Sequence, residues 1–205
     1  MKTNVIEVSS SGEGIDKALA LAEETARRYG LTDKNTLYMR LLSEEMMGMV
    51  RAVTGEMAAD FWIEEENEQF ALHLATSTKM HYEKRSELLS LSSSGKNAAA
   101  KGIMGKIRSM FEAAMMPESE DMPSFVTMGL MSAEDGGTIW MNPSATVWSL
   151  NAYRSGVEGQ VGSSSEAGEA WDELERSIVA NLADEVSVAI RGDNVEMVIL
   201  KRFWR

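Results

Sequence analysis

The sequence contains no cysteine, which excludes disulfide bonds and thiolate metal sites. Only two histidines are present, His73 and His81, and neither has a carboxylate at helical spacing, so we predict no metal site. Long apolar runs are missing too. No stretch reaches the length of a transmembrane helix or of the apolar part of a signal peptide. We therefore predict a cytoplasmic protein that does not contact a membrane.

Basic residues are few in comparison with acidic ones. The chain has 20 Lys and Arg against 32 Asp and Glu, which gives a formal net charge of −12. Proteins that bind nucleic acid need a basic surface against the phosphates, and anionic membrane surfaces attract the same charge. The charge balance predicts no nucleic-acid partner, and it is compatible with a basic or peptide-like one.

The abundant features are those of a globular protein. The 205 residues suit a single domain, 1–205, with a composition that is 44% hydrophobic and 25% charged. Methionine is frequent, with 16 copies. Its flexible side chain packs well in cores and on adaptable binding surfaces. Most of these methionines stand in helical stripes, which favours the core.

The stretch from Asn35 to Gly55 organises the rest of the chain. Apolar residues recur in it at spacings of three and four, which predicts a helix over residues 36–54. We call these residues the methionine stripe: Met39, Leu42, Met46, Met49, Val50 and Val53. A second face of the same helix collects Leu37, Leu41, Glu44 and Gly48. We expect the stripe to lie on a sheet and the second face to be covered as well, lining a cleft.

The other elements follow from hydrophobic periodicity. Apolar patterns predict strands over residues 5–8, 58–64, 69–76, 186–190 and 195–203. Helical stripes run from Ile15 to Tyr29, which is followed by Gly30, and from Trp171 to Leu182. The serine-rich run before Ile15 is interpreted as a helix cap. Residues 65–68 and 191–194 are interpreted as hairpin turns. His73 alternates with apolar positions on its strand, which favours a surface or cross-strand histidine over a ligand.

The residues LSEEMMGMVRAV, 42–53, resemble the N-box helix of the GHKL (histidine-kinase-type) ATPases, in particular of the anti-sigma-factor serine kinases. In that family a Glu is followed four residues later by an Asn that holds the magnesium bridging the nucleotide phosphates. Without gaps, Glu44 takes the place of the Glu and Gly48 that of the Asn. A shift of one residue gives Glu45 and Met49 instead. Neither glycine nor methionine supplies the hard oxygen ligand that magnesium requires.

Two further nucleotide boxes of the family have partial counterparts. Thr76 takes the place of the Asp that binds the adenine amino group, and Thr78 that of the first glycine after it. A threonine hydroxyl accepts a hydrogen bond without the charge assistance of a carboxylate. Gly102 and Gly105 are similar to the second glycine box, whose amides meet phosphates at a helix amino terminus. The alternative interpretation of these two glycines is an ordinary helix start.

Residues 79–166 stand where the family has a short lid. Their composition predicts a loop over 89–102, a helical stripe from Ile103 to Ala114, strands at 125–131 and 138–141, and a flexible linker at 155–168. Residues 145–153 fit no single element. Trp140, Trp148 and Tyr153 make this segment rich in aromatics, which serve either as core or as a partner surface.

The resemblance covers residues 1–78 and 167–205, and it implies an α+β fold of the Bergerat type. In this two-layer sandwich, helices lie on one face of a mixed, mostly antiparallel sheet that ends in a hairpin of two edge strands. Residues 79–166 would form an insertion at the lid position.

Three functions compete. The first is a regulatory or binding module that has lost its ATP and magnesium boxes, so that no cofactor is expected or ATP binds weakly, and that meets a protein partner or itself through the insertion. The second is an active serine kinase with Glu44 or Glu45 as general base. The third is an unrelated α+β protein that binds a small molecule.

Overall fold

The structure is a computed structural model, and it describes residues 1–53, 57–77, 103–105, 107–108, 146–160, 162, 165–191 and 194–203. The strands within these ranges are β1 (Ile6–Ser9), β2 (Ala58–Glu66), β3 (Gln69–Ser77), β4 (Thr146–Ser149), β5 (Glu185–Arg191) and β6 (Asn194–Arg202). The helices are α1 (Ile15–Arg28), α2 (Asp33–Ala52), α3 (Leu150–Gln160), α4 (Ser165–Arg176) and α5 (Ile178–Leu182). None of these helices is long and apolar enough to cross a bilayer.

The strands form one open sheet in the order β1-β2-β3-β6-β5-β4, which confirms an α+β protein. Every neighbouring pair of these strands is antiparallel, whereas the resemblance implied a mixed, mostly antiparallel sheet. The final hairpin also does not lie at the edge. Strand β6 pairs with β3 along its whole length, from Gln69–Arg202 to Ser77–Asn194, and β4 pairs with β5 on the far side. The closing strands are interior because β4, which the sequence did not predict, adds beyond them.

One face of the sheet packs against the helices. Alternate residues of β2, β3 and β6, such as Phe61, Leu72 and Met197, are fully buried. The buried residues of the helices belong to the same hydrophobic core as these strand positions. The strands bury every second residue and the helices bury one stripe each. These buried faces pack together in a single interface between two layers. We call the sheet face against the helices the inner face and the opposite one the outer face.

Helix α2 lies across this interface as predicted. Its methionine stripe is buried, with Met46 fully inaccessible, and its first turn is capped by Thr32, whose hydroxyl accepts a hydrogen bond from the Asn35 amide at 3.3 Å. The prediction that the second face is covered is wrong. Leu37 is 51% exposed and Gly48 lies on the surface. A helix that packs on a sheet with its neighbour α1 at one flank leaves its outward side to solvent.

Helix α1 begins at a glycine rather than at a serine cap. Gly14 occupies the N-cap with φ of 75° and no side chain caps the helix. The serines hold the preceding loop instead: Ser10 Oγ accepts from the Met57 amide at 2.9 Å, and Ser9 Oγ accepts from the Glu13 amide at 3.2 Å. The carboxyl end matches the prediction, because Gly30 is left-handed and the Leu31 amide reaches back to the Ala26 carbonyl.

The β2–β3 hairpin turns more tightly than the acidic run 65–68 suggests. Both strands extend to Glu66 and Gln69, which leaves a two-residue turn at Asn67 and Glu68. Both turn residues have positive φ, as a type I′ turn requires. The turn fixes the β2–β3 register, in which Trp62 lies opposite His73.

Residues 146–160 and 165–168 belong to strands and helices and contribute to the core. The predicted linker at 155–168 is wrong: its first part belongs to α3 and its last part begins α4, with Val157 and Ala167 buried. Trp148 on β4 and Tyr153 on α3 are 5% and 3% exposed, and their ring centroids lie 6.0 Å apart. These two aromatics therefore serve the core. The predicted strands 125–131 and 138–141, and Trp140, lie outside the described residues.

Candidate functional site

The two glutamates of α2 differ in their surroundings. Glu44 Oε1 accepts a hydrogen bond from Arg40 Nε at 2.8 Å, and Arg40 also pairs through Nη1 with Glu23 of α1. The hydrogen bond from the Arg40 guanidinium lowers the pKa of Glu23 below its usual value. Glu44 is thus one arm of a surface ion triad that ties α1 to α2. To act as a general base, its Oε1 would first have to leave the guanidinium.

Glu45 lies one residue further round the helix and is partly buried. Burial raises the pKa of Glu45 above its usual value, and the charge of Glu44 raises it further. A carboxyl group that holds its proton more readily than normal is a better match for acid–base work near neutral pH. Of the two glutamates in the family-like box, Glu45 therefore has the electrostatics that proton transfer favours.

The raised pKa of Glu45 makes stability depend on pH. Because the folded protein holds this proton more tightly than the unfolded chain, the contribution of Glu45 to stability is present at acid pH and is lost as the pH rises through its folded pKa. We expect Glu45→Gln to raise the melting temperature at pH 7, with the gain shrinking towards pH 4. Thermal unfolding of both proteins across this range measures the difference.

Glu44→Gln is the matched control for that experiment. It loses an exposed ion pair with Arg40, which contributes little, and relieves a smaller repulsion on Glu45. We expect its melting temperature to follow that of the wild type at both pH values. A gain for Glu45→Gln that is equally large at pH 4 would contradict a titration effect and indicate a packing effect instead.

The residues in the place of the family's asparagine carry no ligand atom. Gly48 is exposed, and a Cβ added to it would meet nothing within 4 Å. In the alternative register Met49 is buried in the core. In the first register the Asn position thus faces solvent, and in the second it faces the hydrophobic core. In neither case does α2 offer an oxygen to a magnesium ion at this position.

Thr76 stands at the end of β3 on the inner face and is 5% exposed. Its hydroxyl donates a hydrogen bond to the Ala58 carbonyl at 2.7 Å, which joins the end of β3 to the start of β2. The hydroxyl therefore already has a structural partner. Its oxygen could still accept a hydrogen bond, but it lies in a buried position. Thr78, two residues further along the chain, lies outside the described residues.

Gly105 belongs to helical residues 103–105 and is buried, while Gly102 lies outside the described residues. Ile103 and Ile107, each two residues from Gly105, are core residues. Arg108, on the same segment, donates from Nη1 to the Ala52 carbonyl at 3.4 Å, at the carboxyl end of α2. No motif or periodicity singled out Arg108 beforehand. Arg108 thus connects residues 107–108 to α2, the helix that carries both glutamates. A cation at the carboxyl terminus of a helix is stabilising.

His73 matches its interpretation as a cross-strand residue. It lies on the outer face, its ring stacks on Trp62 with centroids 4.7 Å apart, and its Nδ1 lies 2.9 Å from Glu196 Oε1. Glu64 is on the other side, with Oε2 3.9 Å from Nε2. Across the described ranges, no three His, Asp or Glu side chains converge in a way that could hold a metal ion.

Comparisons with protein-family models, with curated proteins and with solved structures gave no match to this chain.

Proposed function

We propose that this chain is a regulatory or binding module of GHKL-like, Bergerat-type architecture that works without magnesium-ATP. The observation that supports it most directly is Gly48, a surface glycine with no side chain where the family places the magnesium ligand. Thr76 supports it as well, because its hydroxyl already donates to Ala58. A nucleotide would meet neither a hard oxygen ligand nor a charged adenine acceptor at these two positions.

The module would act by binding a protein or a second copy of itself through the segment 79–166, which replaces the lid. Because Trp148 and Tyr153 are buried in the core, this surface would be formed by other residues of the segment. Light scattering over a range of protein concentrations tests self-association directly. A monomer at all concentrations would leave a different protein as the partner.

Magnesium-ATP is expected to bind weakly or not at all. Isothermal titration calorimetry at millimolar ATP, with and without magnesium, measures this. Without its metal ligand the site loses the ion that bridges the phosphates, so any residual binding should be independent of magnesium. The variant Gly48→Asn restores an amide oxygen at an open helical position, where it has space, and serves as the comparison for a gain of magnesium dependence.

A micromolar dissociation constant that requires magnesium would contradict the proposal and favour the second candidate, an active serine kinase. One observation supports that candidate: the raised pKa of Glu45, which suits a general base. In that event Glu45→Gln should abolish turnover of ATP while Glu44→Gln retains it. The reverse result would assign the role of base to Glu44.

A further inference from the structure

The outer face of the sheet is open in the described part of the chain. Along β3 and β6 the inward residues Leu72, Leu74, Met197 and Ile199 are fully buried, whereas the residues that alternate with them are partly exposed. The buried apolar residues of the described helices belong to the core on the inner face. An antiparallel sheet often leaves one face to solvent, and that face is then polar. Here it is not uniformly polar.

The middle of the outer face carries several apolar residues, most of them small. Three adjacent strands, β3, β6 and β5, contribute Ala71, Ala75, Val198, Leu200 and Ala189, and His73, Ser187 and Glu196 lie among them. Strands lie about 4.8 Å apart, so these three present a strip about 10 Å wide, which is the diameter of an α-helix. Small side chains let the backbone of a helix approach closely. His73 lies within the strip, between Ala71 and Ala75, and its ring stacks on Trp62 of the neighbouring strand β2.

Acidic residues lie beside this strip and within it. Glu7 of β1 and Asp60 of β2 are directly opposite each other in the β1–β2 register. Glu196 lies in the same cross-strand row, between Ala75 and Ala189, with its Oε1 2.9 Å from His73 Nδ1. Like charges directly opposite each other on a sheet destabilise it. Both Glu7 and Asp60 are exposed, and no Lys or Arg of the described residues forms an ion pair with either. The repulsion is thus left uncompensated within the described fold.

We propose that the outer face docks an amphipathic, lysine- or arginine-rich helix of a partner protein. Its apolar side would cover the strip from Ala71 to Ala189, together with the paired His73 and Glu196, and its cations would neutralise Glu7 and Asp60. The charge decides between occupants. A second copy of this chain brings the same acidic rim and a net charge of −12, and nucleic acid or an anionic membrane would be repelled.

The full chain can be tested with a designed helical peptide of 18 residues that has leucines along one side and lysines on both flanks. Fluorescence anisotropy at low salt measures binding. The same peptide with glutamates in place of the lysines is the charge control. We expect the lysine peptide alone to bind, with an affinity that falls as salt is added. Failure of the lysine peptide to bind, or equal binding of both peptides, would overturn the proposal.

The variant Glu7→Lys/Asp60→Lys locates the binding. Replacing these two acids by lysines should weaken binding of the lysine peptide by about tenfold or more, because charges at the rim act through screened Coulomb interactions. A single replacement, Asp60→Lys, should also raise the melting temperature of the free protein, since it converts the repelling pair with Glu7 into an attractive one. This combination of a more stable fold with weaker docking is not expected of acids that only solubilise the surface.

Glu169→Lys is the matched control, an exposed glutamate of α4 on the helical layer. It changes the net charge by the same amount as Asp60→Lys and should leave peptide affinity nearly unchanged. Equal weakening by both variants would mean that the peptide responds only to total charge, which would overturn the assignment to the outer face. Concentration-dependent dimers abolished by Val198→Glu would instead assign this face to a second copy and would also overturn it.

Discussion

Met46→Asp is expected to lower the free energy of unfolding by about 4 kcal/mol, the largest effect of a single substitution that the structure predicts. Met46 is 0% exposed at the centre of the methionine stripe. The substitution removes a buried apolar side chain and places a carboxylate among the apolar residues of the core. For a domain of this size such a loss lowers the melting temperature by roughly 10 °C. Urea unfolding followed by circular dichroism measures the free energy directly.

Leu37→Asp is the control within the same helix. Leu37 lies on the opposite face and is 51% exposed, so an aspartate there stays hydrated. We expect a change within about 0.5 kcal/mol, as for ordinary surface positions. If Met46→Asp unfolds no more easily than Leu37→Asp, then the face of α2 that packs on the sheet has been assigned wrongly.

Gly14→Ala is expected to cost about 3 kcal/mol, because two penalties combine at this position. The residue has φ of 75°, in the left-handed region that favours glycine. In addition, the carbonyl oxygen of Glu7 occupies the place where a Cβ would stand, and Val8 Cα lies 3.2 Å from that position. Backbone atoms of β1 cannot rotate away as a side chain would. Relief requires a shift of β1 against α1, and thermal or chemical unfolding reports its cost.

Gly30→Ala separates the two penalties. Gly30 has φ of 68°, close to that of Gly14, but a Cβ there meets nothing within 4 Å. The left-handed conformation alone should cost about 1 kcal/mol. The difference between the two variants therefore measures the contact with Glu7. Equal losses would show that β1 and α1 adjust freely around position 14.

Much of the fold could be predicted from periodicity because burial on one face leaves a regular trace in the sequence. The alternation of Phe70, Leu72 and Leu74 predicted β3, and the spacing of Met39, Leu42 and Met46 predicted the buried stripe of α2. Local composition was a poorer guide. The glycines and serines of residues 155–168 suggested a linker, but Tyr153 and Val157, one helical turn apart, bury against the core and fix α3. Tertiary packing outweighed propensity there.

The candidate site was harder to predict than the fold, since it depends on which groups meet across elements. The sequence placed Glu44 and Glu45 side by side in one box. It did not indicate that Arg40 joins Glu44 to Glu23, or that burial raises the pKa of Glu45 above its ordinary value. Likewise, the pairing of Glu7 with Asp60 follows from the β1–β2 register, which no periodicity encodes.

The position of β6 has a consequence for how the chain folds. It is the last strand along the described sequence, yet it lies in the interior of the sheet, between β3 and β5. Strand β3 is separated from its partner β6 by more than half of the chain, so a long loop must close before this contact forms. During synthesis on the ribosome, this edge of β3 stays unpaired until β6 emerges. A folding intermediate with an exposed apolar strand edge is prone to aggregate, and production at lower temperature or with chaperones should raise the soluble yield.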